Sequence, residues 1–357
     1  MKLHHLLTAF TVAALLVSLA GSPAAYSADK SKVIRFAAMG DIMMGTENLL
    51  PPDEGKKSFT EVIPYLKDRE VVLGNMEGPL TDRGEPSKVS ASGRSYVFRT
   101  PPHYVANLSG AGFTVLTLAN NHVNDYGPEG AAQTREVLEK AGILYTGAPG
   151  QVARQKVGEV TVSVIGLAPN KGCQNINDIP AAVELVKREA ANPRTLVVVT
   201  FHGGAEGGDK IHVPHGMEIY LEEKRGDLRT LSHALIDAGA HLIVGHGPHV
   251  PRGVEHYKGR LIAYSLGNFA TGQGIKITGN NGLAPLLLVD LTEKGEFVAG
   301  RVVSFRQNPA GRPRLDKTNE SVKLMHRVSR EDFDSPALNQ DGTLTVGTTA
   351  KTKKKKK

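Results

Sequence analysis

The sequence predicts an α/β layered fold with a largely buried sheet, and two patterns in its 357 residues carry that prediction. From residue 33 onward, apolar runs of strand length recur at 33–39, 71–74, 113–118, 160–167, 196–201, 241–244, 261–266 and 285–291. Between several of them lie glycine-rich turns and stretches of helical period. Strands alternating with helices bury a sheet under a helical layer.

The elements follow in chain order. Lys2, an apolar stretch over 6–20, then Gly21, Pro23 and the small-residue run Ala24-Ala25-Tyr26-Ser27-Ala28 have the layout of a secretory signal over residues 1–27, cut after Ser27. Fifteen apolar residues fall short of the ~20 that span a bilayer, so an uncleaved N-terminal tether is the second form considered. The mature chain is therefore expected to be exported, extracellular or periplasmic. One domain is expected over 33–305. Within it, residues 129–141 place Ala132, Val137, Leu138 and Ala141 near one helical face before Gly142. Residues 227–238 do the same with Leu228, Leu231, Leu235 and Ala238 before Gly239. From 261 to about 305 the strands follow one another with little helix between them, which predicts a second, antiparallel sheet. Residues 307–357 are polar and aperiodic apart from a helix signal around 320–330, and the terminal lysines are expected to be disordered because like charges repel and bury nothing.

Composition excludes several function classes. The lone Cys173 cannot pair within the chain, so no disulfide scaffold is built. The net charge of +7 suggests a polyanion partner until it is located: six positive charges lie in residues 351–357, which leaves 7 − 6 = +1 for the rest, and about 0 once Lys2 leaves with the signal. Nothing in the body is distinctly basic, and nucleic acid is not an expected partner. The lysine tail is the one segment with charge enough to hold an anionic surface, though solubility alone also accounts for it.

The chemistry lies at the ends of the runs. The first is followed by Gly40-Asp41, the second by Asn75-Met76-Glu77-Gly78, the third by Asn120-Asn121-His122, the fifth by His202-Gly203-Gly204 and the sixth by Gly245-His246-Gly247-Pro248-His249. In α/β sheets ligands bind beyond the carboxyl ends of strands, so these positions can converge at one rim. Seven of the 13 histidines fall between 202 and 249, and repeated O and N donors at strand ends suit transition-metal coordination better than they suit turns. His212 and His215 are candidate substrate contacts, whereas His233 and His241 read as solvated. Gly203 to Gly208 lacks the lysine and Ser/Thr of a phosphate loop and reads as a mobile lid that carries Glu206. Residues 94–102, with Arg94, Tyr96, Phe98 and Arg99, read as a β-hairpin or as an anionic-substrate contact. Ser265 lacks a nucleophile-elbow context, so a serine hydrolase is disfavoured.

Together with Tyr264-Ser265-Leu266-Gly267-Asn268-Phe269, these motifs resemble the CapA-type capsule proteins over about 33–291, a family similar to the calcineurin-like metallophosphoesterases. The resemblance implies a four-layer α/β/β/α sandwich with one or two divalent ions, Mn, Zn or Fe, at the strand ends. It implies Asp41, Glu77, Asn121, His202, His246 and His249 as metal ligands and His122 with Asp41 as catalytic residues; Asn120, Glu206, Asn268 and Arg94 are the candidate substrate contacts beside them. It further implies synthesis or export of poly-γ-glutamate or a related anionic polymer, beside membrane-bound synthase subunits. The chain departs from the pattern at Met43, where an imidazole is usual, at Glu77 for an aspartate, and at Gly203 and Gly247 for a tryptophan and a histidine. These departures keep open a non-catalytic, polymer-binding or synthase-partner subunit as the alternative; a periplasmic small-molecule receptor ranks below both.

Overall fold

A computed structural model of the chain describes residues 32–87, 96–272 and 274–346. The signal segment, Arg94 and the lysine tail lie outside them. Strands β1 (Val33–Met43), β2 (Val71–Met76), β3 (Val115–Thr117) and β4 (Leu144–Thr146) come first, then β5 (Val152–Val157), β6 (Val160–Leu167) and β7 (Thr195–His202). A short hairpin, β8 (Glu218–Tyr220) with β9 (Glu223–Gly226), precedes β10 (Leu242–His246), β11 (Val254–Tyr257), β12 (Arg260–Ala263) and β13 (Asn268–Thr271). The last strands are β14 (Leu286–Thr292), β15 (Phe297–Val303), β16 (Phe305–Gln307) and β17 (Pro313–Leu315). The helices are α1 (Ile63–Leu66), α2 (Val105–Ala111), α3 (Gly127–Lys140), α4 (Ile179–Ala190), α5 (Leu228–Asp237) and α6 (Glu320–Asp332).

Two sheets hold the core. One runs β15-β14-β1-β2-β3-β4, with β13 also pairing β1, and the other runs β11-β12-β10-β7-β6-β5. Side chains alternate between faces with period two, and β1 uses both. Phe36 and Ala38 point inward to Val162, Val198 and Val244 of the second sheet. Ala37 and Met39 point outward into a cluster with Leu108 of α2 and Leu138 of α3. On the far side, Val197 and Ile243 meet Leu185 of α4 and Leu231 and Leu235 of α5. Helix, sheet, sheet and helix are therefore stacked as the expected α/β/β/α sandwich.

Three expectations change. The strands from 261 to 305 do not make a sheet of their own: β12 pairs in parallel with β10, whereas β14 adds antiparallel to β1 in the other sheet and β15 adds antiparallel to β14. Local strand succession does not say which sheet a strand joins. No hairpin forms over the described part of 94–102, where Thr100 bridges Leu80 in parallel. Packing also continues past residue 305, since Val322 and Met325 of α6, with Leu338 and Leu344, join the cluster between the sheets.

Gly40 sits where β1 shifts register against β2, between Ala38 and Asp41. A Cβ there would collide with the carbonyl oxygen of Gly267, a backbone atom that cannot swing aside. Gly40→Ala is accordingly expected to destabilise the fold by about 1–3 kcal/mol. Gly110→Ala, inside α2 with open space around its Cβ, should instead stabilise by roughly 0.5–1 kcal/mol. Denaturant midpoints of the two variants would show opposite signs.

Candidate metal centre at the strand ends

The parallel strands point their carboxyl ends to one side, and the polar residues gather there. Asp41 lies near the end of β1, Glu77 directly follows β2, His202 ends β7 and His246 ends β10. All four are fully buried, and His249, three residues past β10, is 13% exposed at its side chain. Asp41, Glu77 and His249 each offer a ligand atom within 4.8 Å of the others. His249 Nδ1 lies 3.1 Å from Asp41 Oδ2, and its Nε2 lies 3.6 Å from Glu77 Oε1. His202 Nε2 is 3.9 Å from the same Glu77 oxygen, and His246 Nδ1 is 3.5 Å from Asp41 Oδ1.

Both Glu77 carboxylate oxygens, His202 Nε2 and both ring nitrogens of His246 are buried without a hydrogen-bond partner. Buried polar atoms are nearly always satisfied, so such a group of unsatisfied O and N atoms, with one nitrogen of each imidazole free to act as a ligand, fits a divalent cation. The electrostatics agree. Burial drives the Glu77 carboxyl well above its ordinary value, helped by the charges of Asp41 and Glu206 and opposed by His249. Burial drives His202 well below its ordinary value, with Arg225 adding to the effect. Burial alone would raise Asp41, yet His246 and His249 beside it hold it far below the carboxylate range. Burial would likewise lower His249, but Glu77, Asp41 and Glu206 hold it up at about 10. His249 is thus the group whose positive charge the acidic floor favours most.

The amides brace this group. Asn75 donates to Asp41 Oδ1 at 2.8 Å, and Asn120 donates to Asn75 Oδ1 and to the Met76 carbonyl, each at 2.9 Å. Asn120 also accepts from the His122 backbone at 3.0 Å, so this fully buried residue braces the floor beneath the carboxylates. Asn268 is used similarly: its Oδ1 meets His249 Nδ1 at 2.9 Å while its Nδ2 donates to the Asn281 carbonyl. His249 itself has a φ of 59°, a left-handed conformation that non-glycine residues rarely adopt and that turns its ring toward the carboxylates.

Above the floor opens a cleft of about 700 Å³, with Asn121, His122, Glu206, Arg225, Tyr220 and Lys276 in its walls. His122 Nδ1 lies 2.6 Å from Asp125 Oδ2, and its ring stacks on Phe98 with centroids 4.0 Å apart. Asp125 also accepts from the Phe98 backbone at 2.8 Å, so one buried carboxylate fixes the ring's orientation and its tautomer. His122 Nε2 then faces the centre, 4.0 Å from Glu77 Oε1.

Residues 35–273 match the family model described as bacterial capsule synthesis protein PGA_cap. The chain belongs to that family. Among relatives of this PGA_cap chain, the PGA biosynthesis protein CapA of Bacillus subtilis is 30% identical, over 88% of this chain and 82% of that one. The capsule biosynthesis protein CapA of Bacillus anthracis is 29% identical over 73% of this chain and 65% of its own length. A solved 5'-nucleotidase precursor from Thermus thermophilus superposes with a TM-score of 0.46 at 15% identity, covering 84% of this chain and 59% of that chain.

Two PGA_cap departures noted in the sequence have a steric reason. A Cβ at Gly247, whose φ is 117°, would come 2.5 Å from the Gly203 carbonyl oxygen, and one at Gly203 would come 2.6 Å from that of Arg225. The loops after β7 and β10 meet backbone to backbone, with Gly203 N donating to the His246 carbonyl at 2.8 Å. The glycine loop from 203 to 208 is also tied down in a way a mobile lid would not be. Arg252 and Glu218, both buried, form a bidentate pair at 2.8 and 2.9 Å that also bonds the Ala205 backbone. Arg225, 1% exposed, pairs with Glu206 at 3.1 Å and Glu223 at 2.9 Å and is the cationic wall that sequence reasoning missed. Met43 is fully buried, its Cε packed near Gly274 in the cleft wall. His212 binds Asp332 at 2.8 Å, and His233 binds Glu255 at 2.9 Å and stacks on Tyr257; neither reaches the cleft.

Proposed function

We propose that this protein is an exported subunit for synthesis or export of poly-γ-glutamate or a related anionic capsule polymer, with a metal-dependent hydrolase-like site in the strand-end cleft. The observation that carries the reading is the cluster of unsatisfied oxygen and nitrogen atoms around Glu77 in a chain whose CapA relative is matched over 88% of this sequence. Asp41, Glu77, His202, His246 and His249, with Asn121 beside them, would hold the cation. Bound there, a divalent ion supplies Lewis-acid polarisation of a phosphoryl or carbonyl oxygen. The chain's own residues do the rest. His122, oriented by Asp125 and Phe98, holds a proton at the cleft floor for a leaving group. Glu206, held by Arg225, orients the bound group from the side wall.

A second reading, a polymer-binding or synthase-partner subunit without turnover, is favoured by Met43, which puts a buried thioether where the related enzymes place an imidazole. Deleting the gene should remove cell-associated polymer, and complementation with Asp41→Asn separates the two. If the variant fails to restore polymer the hydrolase-like reading holds, and if it restores polymer fully while binding no metal the subunit reading replaces it. Unchanged polymer on deletion would reject both.

A further inference from the structure

In the cleft, Arg225 is already paired with Glu206 and Glu223, which leaves Lys276 as the lysine in its wall. A second groove, of about 750 Å³, lies along α6 and is lined by Lys323, His326, Arg327, Arg330, Glu331 and Gln340. The sequence of α6 explains it. Val322, Met325 and Val328 seat one face of the helix in the fold, which leaves Lys323, Arg327 and Arg330, spaced by four and three, on one exposed row. That row spans about 10 Å at the helical rise. His326 Nδ1 meets the Leu338 carbonyl at 2.7 Å and ties α6 to the segment that brings Gln340 to the other wall.

The cations are only loosely engaged. Lys323 pairs with Glu320 at 3.0 Å and Arg327 with Glu331 at 2.9 Å, all four side chains 44–64% exposed. Such exposed pairs contribute about 0–1 kcal/mol and yield to a competing anion. Three permanent cations stand against Glu331 in the lining and Glu320 beside it, so the groove keeps a net positive charge that attracts an anion. Three cations in a row suit a chain of regularly spaced carboxylates better than one small anion. Glu331 also lies 3.9 Å from His212 Nε2, on the loop that runs back to Gly207 and Gly208 in the cleft wall.

We infer that the α6 groove docks an extended polycarboxylate and holds the polymer beside the cleft. This rests on the capsule-polymer reading above and adds the surface that grips the chain. The probe is labelled poly-γ-glutamate, its binding to the full chain followed by fluorescence anisotropy at low and moderate salt. Lys323→Gln/Arg327→Gln/Arg330→Gln should weaken binding by about tenfold or more at low salt and flatten the salt dependence. Glu331→Gln, which frees Arg327, should tighten it roughly two- to threefold, an effect that a misfolded variant would not give. Removing residues 351–357 separates the lysine tail: if the triple variant's loss persists without the tail the groove is supported, and if it vanishes the groove is overturned. A triple variant within twofold of wild type, or a wild type that binds no poly-γ-glutamate, also overturns it. If gene deletion still removes polymer in those cases, the capsule reading stands alone; if deletion leaves polymer unchanged while the triple variant loses binding, that reading falls and the groove remains.

Discussion

Glu77→Gln should abolish divalent-metal binding while leaving the metal-free protein at least as stable as the wild type. Glu77 is fully buried and neither carboxylate oxygen has a hydrogen-bond donor, so the metal-free fold holds a desolvated acid facing Asp41 and Glu206. Glutamine has the same shape without the charge, and it cannot neutralise a cation. In the wild type, a divalent ion at a hundred times its Kd would add about 2.7 kcal/mol of stability, read as a rise of roughly 5 °C in Tm. In the variant that rise should disappear. The pH dependence has a definite sign. Because the folded Glu77 carboxyl lies above its ordinary 4.5, its contribution is fully present below that pH and is lost as pH climbs toward the folded value. His249 adds to the same trend, losing its contribution between about 6.5 and about 10, whereas His202, held neutral, takes stability away as pH falls below 6.5. In chelator-treated protein the advantage of Glu77→Gln should therefore grow from about pH 4.5 upward. Thermal melts with and without Mn²⁺, alongside metal content by mass spectrometry, read both signs. Full metal stoichiometry in the variant would move the centre away from Glu77.

Why the floor of this site was legible in the sequence, and its walls were not, follows from how each is built. β1, β6, β7, β10 and β14 are buried on both faces, so they read as continuous apolar runs whose next residues must be strand ends. That alone locates Asp41, His202 and His246. Edge strands β5 and β15 alternate exposed residues such as Arg154, Lys156 and Val298 with apolar ones, and β8 and β9 are three and four residues long, so their patterns are too weak to separate from loops. Helix α4 is a different case: Asp178 caps it by accepting from the Ala181 backbone, Pro180 stands in its first turn, and Ala182, Leu185 and Val186 mark the buried face. Those signals are local, yet α4 is not among the helices expected within 33–305, which are marked by an apolar face closed by Gly142 or Gly239; α4 ends at Ala190, capped by Ala191 with no glycine after it. Arg225 and Arg252 could not be read at all. Their importance lies in burial beside Glu206 and Glu218, partners distant in sequence, and an arginine's burial is set by tertiary packing that leaves no local trace.

That buried pair carries the second large effect. Arg252→Met should destabilise the protein by about 3–5 kcal/mol, because it strands the Glu218 carboxylate in a dry interior. The wild-type guanidinium is fully buried and spends Nη1 and Nη2 on Glu218, Nε on the Lys210 carbonyl at 2.8 Å, and a further bond from Nη2 on the Ala205 carbonyl at 3.3 Å. Glu218 in turn accepts from the Ala205 backbone at 2.9 Å. The pair therefore fixes the loop that carries Glu206 into the cleft. Replacing both partners, Arg252→Met with Glu218→Leu, removes the lone charge and should recover part of the loss. Recovery should stop short of wild type, since the Ala205 N–H and the carbonyls of Ala205 and Lys210 then lose their partners, at about 1–3 kcal/mol for each group left buried and unmet. Hydrogen exchange gives the local readout: amides from 203 to 210 should lose protection in the double variant while those of β7 and β10 keep theirs. A single variant within about 1 kcal/mol of wild type, or a double variant no better than the single, would show that the loop is held by its backbone contacts with Gly247 and not by the ion pair.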